Sequence, residues 1–226
     1  MKNCLEIDGV NLNFDLNRVL SNIYLQVNAG EVVALIGRNG SGKSCLMRVL
    51  FGSMKAENAS VRVNGNFIEK PYQKNGLMQY LPQHHFIPDR LKVREVLYLF
   101  GFDKEKFFHD FPGFEAHQKV RLAELSGGMH RLLESLIVLE SDADFVLLDE
   151  PFTHLSPLWV EKIKTIIRHK KSTKGILLTD HLIEPVHDIS DRFYLLHDAR
   201  TNPLSNSDQL LDVKKLLHAY ALPGVK

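Results

Sequence analysis

Eight consecutive residues, Gly37-Arg38-Asn39-Gly40-Ser41-Gly42-Lys43-Ser44, match the pattern GxxxxGK[ST] at every specified position. Such a run can cradle the phosphates of a nucleotide. Its glycines let the main chain turn tightly and point several N–H groups at one anion. A helix opening at its end adds the positive pole of its dipole. Lys43 can reach the β- and γ-phosphates, and the Ser44 hydroxyl can ligate Mg²⁺. The competing explanation is a bare glycine turn. By average residue frequencies, however, the full pattern arises by chance in roughly one chain in a hundred of this length.

A second pair of residues agrees with it. Asp149 and Glu150 follow the apolar run Phe145-Val146-Leu147-Leu148. Ligands of open α/β sheets bind beyond the carboxyl ends of such strands. There Asp149 suits Mg²⁺ held through water, and Glu150 suits polarising an attacking water. Alone, an acidic pair after a strand is usually a solvated loop. Beside a phosphate loop it reads as catalytic.

These side chains need strands and helices to hold them. Residues 31–36 contain a short apolar run (VVALI), as a buried parallel strand requires, and it leads into the glycine turn and a helix from about Lys43. Residues 145–148 and 176–179 read as two more buried strands, and 61–63 and 77–81 as further strands. Helical spacing lies between them, over 129–139 and 159–168. From Leu5 to Val27 the alternation predicts two strands with a polar turn around Asn17. Residues 84–125 differ in texture, with helical spacing in VREVLYLF, a Phe-rich stretch and Pro and Gly breaks. They read as an inserted helical lobe. Strand–helix alternation of this kind predicts an α/β core with a mostly parallel sheet.

Bulk properties narrow the function. A chain of 226 residues carrying 28 basic and 27 acidic side chains has a net charge of +1, so no global field recruits nucleic acid or an anionic membrane. No nucleic-acid partner is expected. Cys4 and Cys45 match no metal-ligand spacing, and two thiols in a chain of this size point to a reducing compartment more often than to a disulfide. The N-terminal MKNCLEIDGV lacks the apolar core of a secretory signal, and no apolar run approaches the roughly 20 residues that span a bilayer. The expectation is a soluble, cytoplasmic protein whose membrane part, if it serves one, is another chain.

Leu125-Ser126-Gly127-Gly128, ahead of the acidic strand, resembles the LSGG signature of the ABC ATPase family. Gln83, in YLPQ, sits where that family has its Q-loop glutamine. His181, in LLTDH, is similar to its switch histidine, and Phe14 lies where the family places an aromatic on adenine. The resemblance spans almost the whole chain, from about Leu5 to Tyr220. It implies an α/β fold of the P-loop NTPase type, with a mostly parallel sheet, an N-terminal antiparallel β subdomain and an inserted α-helical subdomain. The catalytic core would be residues 1–83 and 140–226, and the helical lobe residues 84–139.

The resemblance also implies ATP and Mg²⁺ as cofactors and ATP hydrolysis as the reaction. Lys43, Gln83, Glu150 and His181 would act in catalysis, and Ser44, Gln83 and Asp149 at the metal. Nucleotide contacts would come from Phe14, from Gly37, Arg38, Asn39, Gly40, Ser41, Gly42, Lys43, Ser44 and Cys45, and from Ser126, Gly127 and Gly128. Ser126-Gly127-Gly128 opens a helix and so offers a hydroxyl and free N–H groups to a phosphate. In this family that phosphate belongs to the ATP of a second cassette, packed head to tail. A homodimer or pseudo-dimer in ATP, a transmembrane permease subunit as partner, and a place on the inner face of the cell membrane are therefore implied. The runners-up are a soluble ABC ATPase of DNA repair or translation and an ordinary P-loop nucleotide kinase. The kinase leaves LSGG, Gln83 and His181 unexplained.

Two departures from the family pattern stand out. Met129 replaces the Gln that often follows LSGG, and Ser156-Pro157 replaces the usual Leu-Asp in the loop beyond Glu150. The stretch at 212–220 (DVKKLLHAY) is faintly similar to the ends of amino-acid and lipopolysaccharide transport cassettes. Residues 84–88 (HHFIP) mix apolar and polar groups in a way suited to a partner's short helix, which predicts an exposed apolar-centred groove between residues 84 and 100; the alternative is that Phe86 and Ile87 simply pack inside the lobe.

Overall fold

A computed structural model of the protein describes residues 3–204, so the stretch at 212–220 lies outside the described residues. The chain opens with a hairpin, β1 (Cys4–Phe14) and β2 (Asn17–Asn28). It then forms β3 (Val32–Ile36), α1 (Lys43–Phe51), β4 (Asn58–Val63), β5 (Asn66–Phe67) and β6 (Met78–Leu81). Next come α2 (Val93–Leu99), α3 (Lys104–Asp110), two short 3₁₀ turns and α4 (Gly127–Glu140). The order ends with β7 (Phe145–Asp149), α5 (Pro157–Lys170), β8 (Gly175–Thr179), α6 (Ile183–Ile189), β9 (Arg192–His197) and β10 (Arg200–Leu204).

Two sheets result. The order β2-β1-β4-β5 is antiparallel throughout, and the order β10-β9-β3-β8-β7-β6 is parallel except where β10 meets β9. Parallel strands survive where both faces are covered. All five residues of β3, β7 and β8 are accordingly buried. Their side chains alternate between two interiors, as a period of two demands. Val32, Ala34, Val146, Leu148, Ile176 and Leu178 face the helices α4, α5 and α6. Val33, Leu35, Phe145, Leu147 and Leu177 face α1 and the antiparallel sheet. Each buried aliphatic contributes about 1.5–3 kcal/mol, so a polar residue on either face would break the layer.

The helices α2 and α3, inserted between β6 and α4, carry the helical subdomain. Phe107 is its centre, with the rings of Phe102, Phe108, Phe111 and Phe114 all within 5.8 Å of it, centroid to centroid. Phe114 in turn stacks on Trp159 of α5, which ties the subdomain to the core.

Local expectations hold in part. The hairpin turn is Asp15-Leu16, closed by the pair Phe14 and Asn17 as expected, with Leu16 wholly exposed. A bulge between Ile7 and Val10 moves the buried positions of β1 from odd to even numbers, which blurs its alternation. The final hairpin of β9 and β10 and the helix α6 were not read from the sequence. In β9 the apolar and polar residues do not alternate cleanly, and Pro203 sits in β10, an edge strand that tolerates it. Phe86 is exposed as expected, but Ile87 is buried in the core, so only part of the 84–88 segment offers an apolar surface.

Candidate functional site

Four neighbouring parallel strands, β6, β7, β8 and β3, end on one side of the sheet, and the predicted residues follow those ends. The phosphate loop follows β3, Gln83 follows β6, Asp149 and Glu150 follow β7, and His181 follows β8. Register makes this possible: Leu81 pairs with Leu148, and Asp149 with Thr179.

In the loop, Lys43 is buried and donates from Nζ to the carbonyls of Gly37 at 2.8 Å and Arg38 at 2.9 Å. Burial pushes its ammonium below the usual lysine range, against the pull of Glu150, Asp149 and Asp180. Gly42 has φ of 103°, and a Cβ there would meet Val19 Cγ1 at 2.8 Å. Only glycine fits both demands. Cys45 and Cys4 are free thiols, and burial raises the Cys45 pKa above its ordinary value.

The two carboxylates occupy different surroundings. Asp149 is buried, with Oδ1 accepting from Ser44 Oγ at 3.1 Å and Oδ2 from the Tyr80 hydroxyl at 3.0 Å. Burial lifts its pKa, and these two hydrogen bonds oppose the lift without cancelling it. Burial, with Asp149 adding to it, likewise lifts the Tyr80 hydroxyl, which stays a donor. Glu150 is more open. Its Oε2 accepts from Gln83 Nε2 at 3.1 Å and from Thr153 Oγ1 at 3.3 Å, with His181 Nδ1 at 3.9 Å. Glu150 also takes φ of 57°, a left-handed value uncommon outside glycine, and such strain clusters at functional sites.

Among the described residues, two groups of predicted ones make no hydrogen bond to the side chains of this cluster. Phe14 is half-exposed at the end of β1. Ser126 and Gly127 are exposed where α4 begins, and Ser126 Oγ accepts from Met129 N at 3.2 Å, which caps the helix and leaves the hydroxyl hydrogen available. Gly128 is there for space, since a Cβ would meet the His154 carbonyl at 2.5 Å. Both departures have structural roles. Met129 packs its side chain into the core, and Pro157 opens α5, a position that suits its missing N–H.

Three contributors escaped the sequence. Tyr80 holds Asp149. Asp180 is buried and accepts from Phe152 N at 2.9 Å and Leu182 N at 3.0 Å, so it binds the loops carrying Glu150 and His181 together. Arg131, on α4, donates Nη1 to the Pro82 carbonyl at 2.6 Å, Nη2 to Glu150 O at 3.0 Å, and also to Asp149 O. The available signals were a polar residue inside each apolar context: Tyr80 in YLPQ, Asp180 before His181, and Arg131 at the head of an apolar helix.

Asp149→Asn is expected to raise the apo protein's thermal midpoint. A carboxyl whose folded pKa exceeds its unfolded value loses stability as pH rises from about 4 through the folded pKa. The amide avoids that loss and can still pair with Ser44 and Tyr80. A gain of about 2–4 °C per kcal/mol relieved is expected at neutral pH, shrinking towards acid. Thermal melts of the two proteins across pH check this; a lower midpoint for Asp149→Asn at neutral pH contradicts it.

Comparison with known proteins places this architecture. Residues 20–153 match the model of the ABC transporter family. The chain is 32% identical over 203 residues to an uncharacterized ABC transporter ATP-binding protein of Rhizobium meliloti, covering 84% of this chain and 75% of that one. It is 29% identical over 229 residues to the high-affinity branched-chain amino acid transport ATP-binding protein BraG of Pseudomonas aeruginosa, covering 96% and 98%. A solved ATP binding subunit of an ABC transporter superposes with a TM-score of 0.78 at 23% identity, covering 96% and 98%. A phosphate loop with its lysine buried, two carboxylates at the end of a strand of the same sheet and the LSGG-capped helix thus occur in a chain that belongs to the ABC transporter family, as an ATP-binding subunit.

Proposed function

We propose that this chain binds and hydrolyses ATP to drive transport through a separate permease subunit in the membrane. The observation that carries the reading is the division between the two carboxylates. Asp149 is fully buried against Ser44 and Tyr80, while Glu150 keeps partial exposure beside Gln83, Thr153 and His181. One environment suits a metal ligand and the other a base.

The oxygens of Ser44 and Asp149, 3.1 Å apart, are the hard donors that Mg²⁺ takes, and a buried carboxylate held above its usual pKa is one that a cation relieves. Ser44, Asp149 and Gln83 would hold the ion. When bound, Mg²⁺ supplies positive charge to the β- and γ-phosphates. Residues Gly37 to Cys45 offer main-chain N–H groups to the phosphates, and Lys43 adds its ammonium. Glu150 Oε2 orients the attacking water and draws its proton. His181, exposed beside Glu150, donates to the γ-phosphate as charge shifts there. Phe14 stacks on adenine.

Ser126, Gly127 and Gly128 bind the ATP of a second copy, so the nucleotide joins two cassettes and hydrolysis frees them. Residues 84–139 act as the lobe that receives the permease, and residues 1–83 and 140–226 as the catalytic core. Among the described residues no helix is long and apolar enough to cross a membrane. In this reading the permease is a separate chain and the cassette sits on the membrane's inner face.

Phe86, Tyr98, Leu99 and Phe100 stand exposed on the stretch after Gln83. Phe86→Glu is expected to leave basal ATP turnover unchanged. It should weaken association with the permease at least about 30-fold, the effect of losing an aromatic anchor of about 2 kcal/mol. Co-purification and turnover are the measurements. Undiminished association, or a Phe86→Glu protein that no longer folds, removes this surface from the contact.

A further inference from the structure

Just beyond Gln83, the chain meets α4 through a cluster unrelated to the phosphate loop. Glu134 of α4 is fully buried and accepts from Phe86 N at 2.8 Å and Ile87 N at 3.3 Å through Oε1. Its Oε2 lies 2.9 Å from His85 Nδ1. One turn earlier on the helix, His130 is buried, with Nε2 3.6 Å from Glu134 Oε1 and no hydrogen-bond partner. An orphaned imidazole nitrogen in the interior is costly, and such a group needs a reason.

We propose that His85, His130 and Glu134 form a binding site for a divalent transition-metal ion of the Zn²⁺ type. Their ligand atoms all lie within 4.8 Å of one another. Bonds of about 2.0–2.1 Å in tetrahedral array set ligand atoms roughly 3.4 Å apart, so the 2.9 Å between His85 Nδ1 and Glu134 Oε2 needs only a small adjustment, and His130 has a ring nitrogen within the same 4.8 Å group. Two imidazoles and a carboxylate are a donor set that Zn²⁺ accepts, with a fourth position left for water, whereas Mg²⁺ prefers oxygen alone.

The second shell exists before the ion arrives. The N–H groups of Phe86 and Ile87 fix Glu134 Oε1 and leave Oε2 to the ion, which is how outer partners orient a metal ligand. Arg131 approaches Glu134 only to 3.9 Å and directs its hydrogen bonds to main-chain carbonyls instead. The rings of His85 and His130 lie parallel, with 3.7 Å between centroids and 3° between planes. A shared ion must lie near both ring planes, so its entry splays this stack. His85, whose side chain is 44% exposed, has the room to turn. The bound ion would join the segment after Gln83 to the helix that Ser126 caps.

The test uses the full-length, nucleotide-free protein in excess Mg²⁺, titrated with Zn²⁺ against a chromophoric chelator, with Co²⁺ absorption reporting geometry. One ion per chain with a tetrahedral Co²⁺ spectrum is expected. His85→Phe and His130→Phe keep the ring packing and remove the nitrogen. Each should weaken Zn²⁺ binding beyond the roughly 10–100-fold that loss of an outer partner costs, while thermal melts show a folded protein. Absence of Zn²⁺ binding by the unsubstituted protein, or undiminished binding by either variant, overturns the site. Neither result touches the proposed ATPase role, since Mg²⁺ and nucleotide bind elsewhere.

Discussion

Glu150→Gln should bind ATP with undiminished affinity, turn it over about 100- to 10,000-fold more slowly, and run as a dimer on size exclusion in ATP and Mg²⁺. The exchange keeps the side chain's shape. A glutamine oxygen can still accept from Gln83 Nε2 and Thr153 Oγ1, so the local network stays in place. What is lost is the negative charge that draws a proton from water, and general bases contribute rate factors of that order. The left-handed backbone at position 150 costs glutamine as much as glutamate, so the fold is indifferent to the change. With hydrolysis blocked, ATP keeps bridging two copies. Turnover at the original rate, together with a monomer at high protein concentration, would take Glu150 out of the mechanism.

Lys43→Ala should reduce ATP affinity and abolish turnover. A hydrogen bond from a charged donor is worth about 1.5–3 kcal/mol, so loss of the ammonium weakens binding by roughly 10- to 150-fold. The transition state, with more charge on the transferring phosphoryl group, loses more. The alanine protein should still fold, because burial works against the lysine's charge in the nucleotide-free state. Nucleotide titration and phosphate release are the measurements. Affinity and turnover both unchanged would remove the loop from the chemistry.

The parts of the site that could be read from the residues alone are those written as contiguous residues, while Gln83 and His181 were reached through the family resemblance. Gly37 to Ser44 is one uninterrupted pattern, and Asp149-Glu150 announces itself by following four apolar residues. The central strands were legible for the same reason: burial on both faces leaves an unbroken apolar run. Tyr80, Arg131 and Asp180 were not legible, because each acts through partners far along the chain. Arg131 meets Pro82 and Glu150 at separations of 49 and 19 residues, and its place in an apolar helix hints at burial without indicating those partners. Glu134 is the sharpest case. By periodicity an acidic residue in α4 belongs on a solvated face, yet the chain after Gln83 covers that face entirely. Hydrophobic pattern locates a helix, but tertiary contact decides which polar residues it buries. The β9–β10 hairpin escaped because only Tyr194 and Leu196 of its side chains are buried, too few to leave a pattern.

The guanidinium of Arg131 makes Pro82, Asp149 and Glu150 a single mechanical unit with the first turns of α4. A displacement of that helix drags the main chain beside Gln83 and the main chain of Glu150 with it. Occupancy at the exposed N-terminus of α4 and occupancy at Glu150 are then coupled variables, and the coupling is reciprocal. Under the proposed function, a phosphate bound at the helix end changes the affinity of Glu150 for its water by the same factor as the water changes that of the phosphate. The helix N-terminus and Glu150 therefore report on one another through Arg131, without any ligand spanning the distance.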